Sequence, residues 1–515
     1  MRIAVRSWEY WTAAALAVTL GCVSVLPINV KPTYQAAFYL ALTGIIVLAT
    51  VPNQRITLVL VWILFYPLSI EKIFQFGTPQ HLYFPLPSVI ISAADVAFYL
   101  LLGKVLLDWF LAKRPPIGWP AAATPYLVLC VWVSLMFLKA PSVAGMLQVM
   151  HWWKMLAFLL VLPAAIRSRG ELYLVLFVLA VSIGLQSLIV WLSWRIHKPI
   201  SFITLFSPSA LPLLGFGGSE GTVLLRASGT FGQVNQQAGL HVFFTLPLIG
   251  LAFVRNLRWR IFGFVIAGLS LSAILLTFSR TAWLAISIAG FAIILLAVVY
   301  RRMTRRTWAV FGLAAGLACL VVAAFINSIS TRLLHGDEGA TSSRFRMIVT
   351  SLNLTLTHPL LGSGPGNFVE DSLGGRELNR RSSTWNLPGA NRADDEIEGL
   401  ESYRGEINGK RIIVPLQVHN KYLLVLSELG LVGLSLFVWY QWRLLRMSLE
   451  SLRTDDATLF WTAAGLFGAL VASQVYYMLE LAYDDKSVLV LMLPSALLLC
   501  VHQIVKGERR HLFGS

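Results

Sequence analysis

The sequence predicts an all-α polytopic integral membrane protein of about 14 transmembrane helices (12–14), with a large extracytoplasmic loop containing short helices. Composition is the first observation behind this. Of 515 residues, 57% are hydrophobic and only 13% charged, with a mean hydropathy of +0.71, too apolar for a soluble domain. The second is the recurrence of apolar runs, each close to the 20 or so residues that cross a hydrocarbon core. Lipid offers the backbone no hydrogen-bond partner, and runs of this length satisfy their own groups as helices, not as alternating barrel strands.

In order, the runs fall at 10–27, 35–51, 56–70, 88–110, 122–138, 146–165 and 172–192, then 236–254, 261–276, 281–299, 307–327, 418–440, 457–478 and 487–504. The first leads straight into further runs and reads as a retained signal anchor. The chain divides into N-terminal helices over 1–192, helices with an outer loop at 193–235 over 193–327, a large periplasmic loop over 328–417 and C-terminal helices over 418–515. Cys22, Cys130, Cys319 and Cys500 all lie in apolar runs without paired spacing and read as small buried hydrophobes.

Basic residues give the orientation. With Arg2 and Arg6 cytoplasmic, alternate loops carry Arg55; Lys113 and Arg114; Arg167 and Arg169; Arg255, Arg258 and Arg260; Arg301, Arg302, Arg305 and Arg306; Arg443, Arg446 and Arg453; and Lys506, Arg509 and Arg510. The opposite short loops hold mostly single cations, Lys31, Lys72 and Lys139. This is the positive-inside pattern, and it places both termini in the cytoplasm. The net charge of +16 is thereby explained without a nucleic-acid partner, which a basic stripe on a soluble face would have marked.

The segment 328–415 breaks the apolar rhythm on the outer side with ten Lys/Arg and eleven Asp/Glu. Phe345, Ile348, Val349, Leu352 and Leu356 recur at helical spacing, so 343–356 reads as an amphipathic helix with Ser342 or Ser343 as its cap. Arg344 and Arg346 flank its stripe at headgroup depth. Glu406–Ile412 has the Asn-Gly centre of a tight hairpin. Asp394, Asp395, Glu396 and Glu398 form an acidic cluster that reads as solvated loop, with a divalent-cation site as the competing reading.

Four motifs carry the chemistry. Arg226-Ala-Ser-Gly-Thr-Phe-Gly runs on to Asn235 just before a span, and a plain glycine-turn loop is its simplest reading. Phe278-Ser-Arg280-Thr places an arginine between two runs on the side where cations are disfavoured; a snorkelling interfacial arginine is the alternative. Arg344 precedes His358-Pro-Leu-Leu-Gly-Ser-Gly364-Pro-Gly, whose alternate glycines permit close backbone approach or a simple helix stop. His419-Asn420 stands at a helix mouth ahead of Gly430-Leu-Val-Gly433. A histidine there titrates near neutrality and suits a general base, although a lone histidine is more often structural.

Taken together, these motifs resemble the O-antigen ligase and O-antigen polymerase superfamily over about residues 220–440. The resemblance implies a metal-independent, inverting glycosyltransferase of the bacterial inner membrane, needing no cofactor, that takes a glycan from undecaprenyl diphosphate on the periplasmic face. The acceptor is lipid A–core in ligases and another lipid-linked repeat unit in polymerases. Arg280 and Arg344 fall on the family's functional arginines and His419 on its histidine. Arg226, Asn235, Gly364 and Asn420 fall in the surrounding motifs, as substrate-binding positions. The size of 328–415 favours a polymerase or exopolysaccharide role over a ligase, with membrane lipid and polysaccharide assembly or export proteins as partners. Guanidinium groups bind phosphate oxygens in a fixed fork and cannot lose their charge. Held at the dry edge of a bundle, they stabilise a departing diphosphate more than water does.

Two other readings compete. An O-linked protein oligosaccharyltransferase uses the same donor with similar motifs. A multi-span polysaccharide or lipid transporter needs ionisable groups within the membrane, paired across helices; Asp95, Lys104, Lys154, His241 and Glu480 are the sparse candidates.

Overall fold

Helix boundaries follow the few polar residues that interrupt the apolar runs. The computed structural model describes residues 53–68, 71–75, 88–111, 119–197, 215–217, 223–227, 229–231, 234–254, 256–327, 329–330, 338–368, 402–407, 410–415, 418–480 and 485–513. The runs 10–27 and 35–51, Cys22 and the cluster Asp394–Glu398 lie outside these.

Helix α1 (Gln54–Phe65) ends in a 3-10 turn, Tyr66–Leu68, and strands β1 (Glu71–Gln75) and β2 (Ser88–Ser92) pair antiparallel ahead of α2 (Ala93–Phe110). Helices α3 (Ala123–Lys139), α4 (Val143–Ala165) and α5 (Arg169–Ile196) follow. After the short ribbon of β3 (Gly215–Gly217) and β4 (Val223–Leu225) come α6 (Val234–Thr245), α7 (Leu257–Leu276), α8 (Arg280–Val299) and α9 (Arg305–Ala324). Then follow α10 (Glu338–Thr357), the hairpin of β5 (Ser402–Ile407) and β6 (Lys410–Pro415), and α11 (Lys421–Ser451), α12 (Ala457–Leu479) and α13 (Asp485–Phe513). Among the described residues, eight helical stretches are long and apolar enough to cross a membrane.

Local chemistry explains the starts and breaks. Ser92 with Asp95 and Ser168 with Glu171 make reciprocal caps that open α2 and α5, each satisfying donors that lipid cannot. In the 88–110 run the first five residues are therefore strand β2, and the helix begins at Ala93. Asn256 and Asp456 cap α7 and α12 more simply, each accepting one backbone N–H, from Arg258 and Leu459. Pro247 lacks the N–H that α6 would need, and the run continues as a 3-10 helix, Leu246–Phe253. That stretch crosses α12 at closest range: a Cβ on Gly465 would sit 2.1 Å from the carbonyl oxygen of Leu246, the backbone approach that small residues permit between membrane helices.

The centre of the bundle is formed by Val234–Phe253, Ala457–Leu479 and Val488–Gly507, which are 89%, 78% and 83% buried, against 33% for Arg280–Val299 at the periphery. Charges inside the bundle are paired. Lys154 Nζ meets Asp95 Oδ1 at 2.7 Å between α4 and α2, Arg55 meets Glu171 at 2.5 Å, and Lys104 meets Asp108 on α2 at 2.8 Å. Buried ions need such partners. His241 is enclosed by Gln237 and Ser270 at 3.1 and 3.0 Å.

Two sequence expectations need correction. Helix α10 begins at Glu338, so Ser342 and Ser343 lie within its first turns and do not cap it. Cys319 is exposed, because α9 offers one side to the bundle and the other to its surroundings. The expected hairpin is present, with Ile407 opposite Lys410; its Asn408-Gly409 centre lies outside the described residues.

Candidate active site

Five chain segments bring polar side chains to one end of the bundle, and all of them converge on Glu480. This residue follows the last turn of α12 and is only 8% exposed. Asn235, in the first turn of α6, donates from Nδ2 to both carboxylate oxygens at 3.2 Å. Thr281, in the first turn of α8, donates from Oγ1 to Oε1 at 2.9 Å. Arg344 of α10 reaches Oε1 with Nη2 at 3.6 Å, and His419 Nδ1 faces Oε2 at 4.0 Å. Arg226 completes the ring: its Nη2 donates to Asn235 Oδ1 at 2.6 Å and its Nε to the Thr277 carbonyl at 2.7 Å. Buried polar groups at this density need a complete set of partners.

Each side chain is placed by its own element. In α10, Met347 and Leu354 pack with Phe368, Val418 and Leu424, and Ser351 Oγ donates to the Leu423 carbonyl at 3.0 Å. Arg344 lies one turn ahead on that same face, which carries it to Glu480. The stripe read from the sequence points elsewhere: Phe345, Leu352 and Leu356 are exposed, as a helix at a lipid surface requires. Asn420 caps α11, accepting from Leu423 N–H at 3.0 Å, and donates to the Met478 carbonyl at 3.2 Å. It thereby fixes His419 beside the end of α12. Between α7 and α8, buried Phe278 takes a left-handed backbone (φ 49°), a conformation that costs a bulky residue about 1–3 kcal/mol. The turn sets Thr281 against Glu480 and leaves the neighbouring Arg280 exposed, with no acidic partner among the described residues.

The two glycine motifs interlock. Helix α11 breaks at Gly430 (φ 69°, ψ −173°), and the turn after α10 takes up the freed backbone groups. Ser363 and Gly364 N–H donate to the carbonyls of Ser427 and Glu428 at 3.0 and 2.8 Å, while Leu431 N–H donates to the Pro359 carbonyl at 2.9 Å. Trp132 Nε1 caps the Leu429 carbonyl at 3.0 Å. A Cβ on Gly430 would lie 2.1 Å from the Leu360 carbonyl oxygen, and one on Gly362 2.3 Å from the Glu428 backbone. Gly364 therefore serves the contact between turn and helix, its N–H already spent on α11.

The electrostatics follow from burial. Burial pushes the Glu480 carboxyl above the ordinary range, against the pull of Arg344, Thr281, Arg226 and Asn235. Burial, then the Arg344 cation, holds the His419 imidazole down to about 4. His419 is thus neutral near pH 7, with a free ring nitrogen to accept a proton. Its Nδ1 has no hydrogen-bond partner among the described residues.

Of the sequence-predicted residues, the structure unites Arg226, Asn235, Arg344 and His419, with Asn420 supporting and Arg280 adjacent to the ring. The structure adds Glu480, which the sequence offers as a candidate transport residue, and Thr281, whose motif points to Arg280 instead.

Residues 262–438 match the model of a family described as O-antigen ligase. No curated protein matches the chain. The matched stretch contains Arg280, Arg344, His419 and the interlocked glycine motifs. That match supports the resemblance to the O-antigen ligase and polymerase superfamily over residues 262–438.

Proposed function

We propose that this protein is an inverting glycosyltransferase of the bacterial inner membrane, which transfers or polymerises glycan repeat units from undecaprenyl diphosphate on the periplasmic face. The observation that carries the reading is the convergence of Arg344, His419 and Arg226 on one buried carboxylate, within and beside the matched domain. The acceptor hydroxyl attacks the anomeric carbon while the bond from that carbon to the diphosphate oxygen breaks. His419 takes the hydroxyl proton, and the diphosphate leaves with the bonding pair. Arg280 and Arg344 meet its growing negative charge where water is scarce. Attack opposite to departure inverts the anomeric centre. A second lipid-linked repeat unit is the favoured acceptor, in O-antigen or exopolysaccharide assembly, and lipid A–core the other.

The test is transfer by the purified, reconstituted protein, with glycan on undecaprenyl diphosphate as donor and lipid-linked repeat units, lipid A–core and a peptide as acceptors. Product on the first two is expected, unchanged in excess EDTA. Loss of product with EDTA and recovery with Mg²⁺ would promote Asp394–Glu398 to a metal site. Product on the peptide alone would make the protein an oligosaccharyltransferase, and vectorial movement of the lipid without product would make it a transporter.

A further inference from the structure

We propose that Glu480 is a positioning residue shared by Arg344 and His419: it pairs with the guanidinium while the site is empty and turns to the imidazole when a diphosphate takes Arg344. The inference rests on the glycosyl-transfer reading above.

Coordination of the carboxylate is lopsided. A carboxylate accepts about four hydrogen bonds. Among the described residues, Oε1 takes Thr281 at 2.9 Å and Asn235 at 3.2 Å, with Arg344 at 3.6 Å, whereas Oε2 takes only Asn235 at 3.2 Å. The spare capacity of Oε2 faces the Nδ1 of His419, 4.0 Å away, which itself lacks a partner among the described residues. The Arg344 contact is loose and its side chain is 39% exposed, and among the described residues its other guanidinium N–H groups have no hydrogen-bond partner, which suits them to an incoming anion. Asn235 and Thr281, in contrast, hold the carboxylate in place when Arg344 moves away.

The charges around Glu480 make the exchange directional. They are Arg226 on the loop before α6, Arg344 on α10 and His419 before α11, with Tyr476 one turn back on α12. Arg226 is already engaged with Asn235 and the Thr277 carbonyl. A diphosphate that draws Arg344 outward leaves a buried carboxylate short of positive charge, an unfavourable state unless another cation or proton serves it. His419 stands ready to serve it, with Nδ1 4.0 Å from Oε2. With its proton on Nδ1, the ring donates to Oε2 and presents Nε2 to the acceptor hydroxyl. As Nε2 takes the hydroxyl proton, the imidazolium forms beside a carboxylate. His419 then becomes a competent base only after the donor has arrived, which protects the lipid-linked donor from premature attack.

The direct experiment follows ethoxycarbonylation of the His419 peptide against pH by mass spectrometry, with and without inorganic pyrophosphate. The wild type is compared with Glu480→Gln, and transfer is assayed in parallel. Pyrophosphate raises the pH midpoint of His419 in both proteins by its own charge, and the proposal requires a larger rise in the wild type. In the transfer assay, Glu480→Gln lowers kcat on the order of 10²-fold and moves the acidic limb to lower pH, since the base has lost its counter-charge. Donor KM does not rise, because Arg344 has lost a competitor for the diphosphate. Equal midpoint shifts in the two proteins, or a fall in kcat with an unmoved pH profile, overturn the proposal and leave the transferase reading standing. A larger wild-type shift in a protein that transfers nothing upholds the pairing and overturns the transferase reading. If Glu480→Gln folds poorly, Glu480→Asp withdraws the same charge by one methylene and must show an intermediate shift.

Discussion

At the scale of single residues, the two arginines assigned to the diphosphate differ in their surroundings. Arg344 is tied to Glu480 at 3.6 Å, while Arg280 is exposed beside it in sequence to Thr281. Arg280→Lys keeps the charge but loses the planar fork, so turnover falls on the order of 10²–10³-fold if the contact is bidentate. Arg344→Ala raises donor KM and lowers kcat together, since it removes an anion contact made both to the bound donor and to the departing diphosphate. Steady-state kinetics of the two variants check this; a fully active Arg280→Lys would show that charge alone suffices there. Arg280, Arg344 and His419 were legible because each sits in a short motif with an identifiable neighbourhood. Glu480 was not. Its partner Thr281 is 199 residues away, and a lone acid at a helix end looks the same in sequence whether water or a buried ring surrounds it.

At the scale of elements, the apolar runs announced the helices because length and hydropathy alone define a span. The internal breaks were hidden. Gly430 belongs to a motif legible in the sequence, two residues after Glu428, but a glycine costs only about 1 kcal/mol against alanine in a helix, so its presence does not show that the helix breaks there. The structure gives it a dihedral pair that other residues rarely adopt, and the Leu360 carbonyl fills the space a side chain would need. The turn 359–364 supplies the hydrogen bonds that the break removes from α11, so α10, the turn and α11 form one unit that fixes Arg344 relative to His419. Gly430→Ala is expected to destabilise the protein by at least about 3 kcal/mol, seen as a lower melting temperature and loss of monodispersity in detergent. An unchanged melting temperature would show that turn and helix separate without cost. Substitution of exposed Leu356 by another apolar residue serves as the neutral comparison.

At the scale of the whole molecule, the two ends of the bundle are chemically distinct. Helix α12 runs 23 residues, about 35 Å at 1.5 Å per residue, from Asp456 to Glu480. At the Asp456 end, Arg169 meets Asp456 at 3.0 Å and Arg302 meets Asp455 at 3.7 Å, with Arg302 also 5.0 Å from the Phe460 ring centre. Arg169 and Arg302, from two of the loops that the positive-inside rule assigns to the cytoplasm, thus lie at the end of α12 opposite Glu480, and the proposed orientation would put the Glu480 ring outside. The measurement that bears most directly on the account is sided transfer. Right-side-out membrane vesicles containing the protein and a glycan on undecaprenyl diphosphate are given an impermeant acceptor in the medium. The account predicts glycosylated acceptor with the wild type, none with His419→Ala despite retained donor binding, and none when the vesicles are inverted. Glycosylation of the external acceptor in inverted vesicles, or near-normal product from a well-folded His419→Ala, would contradict it.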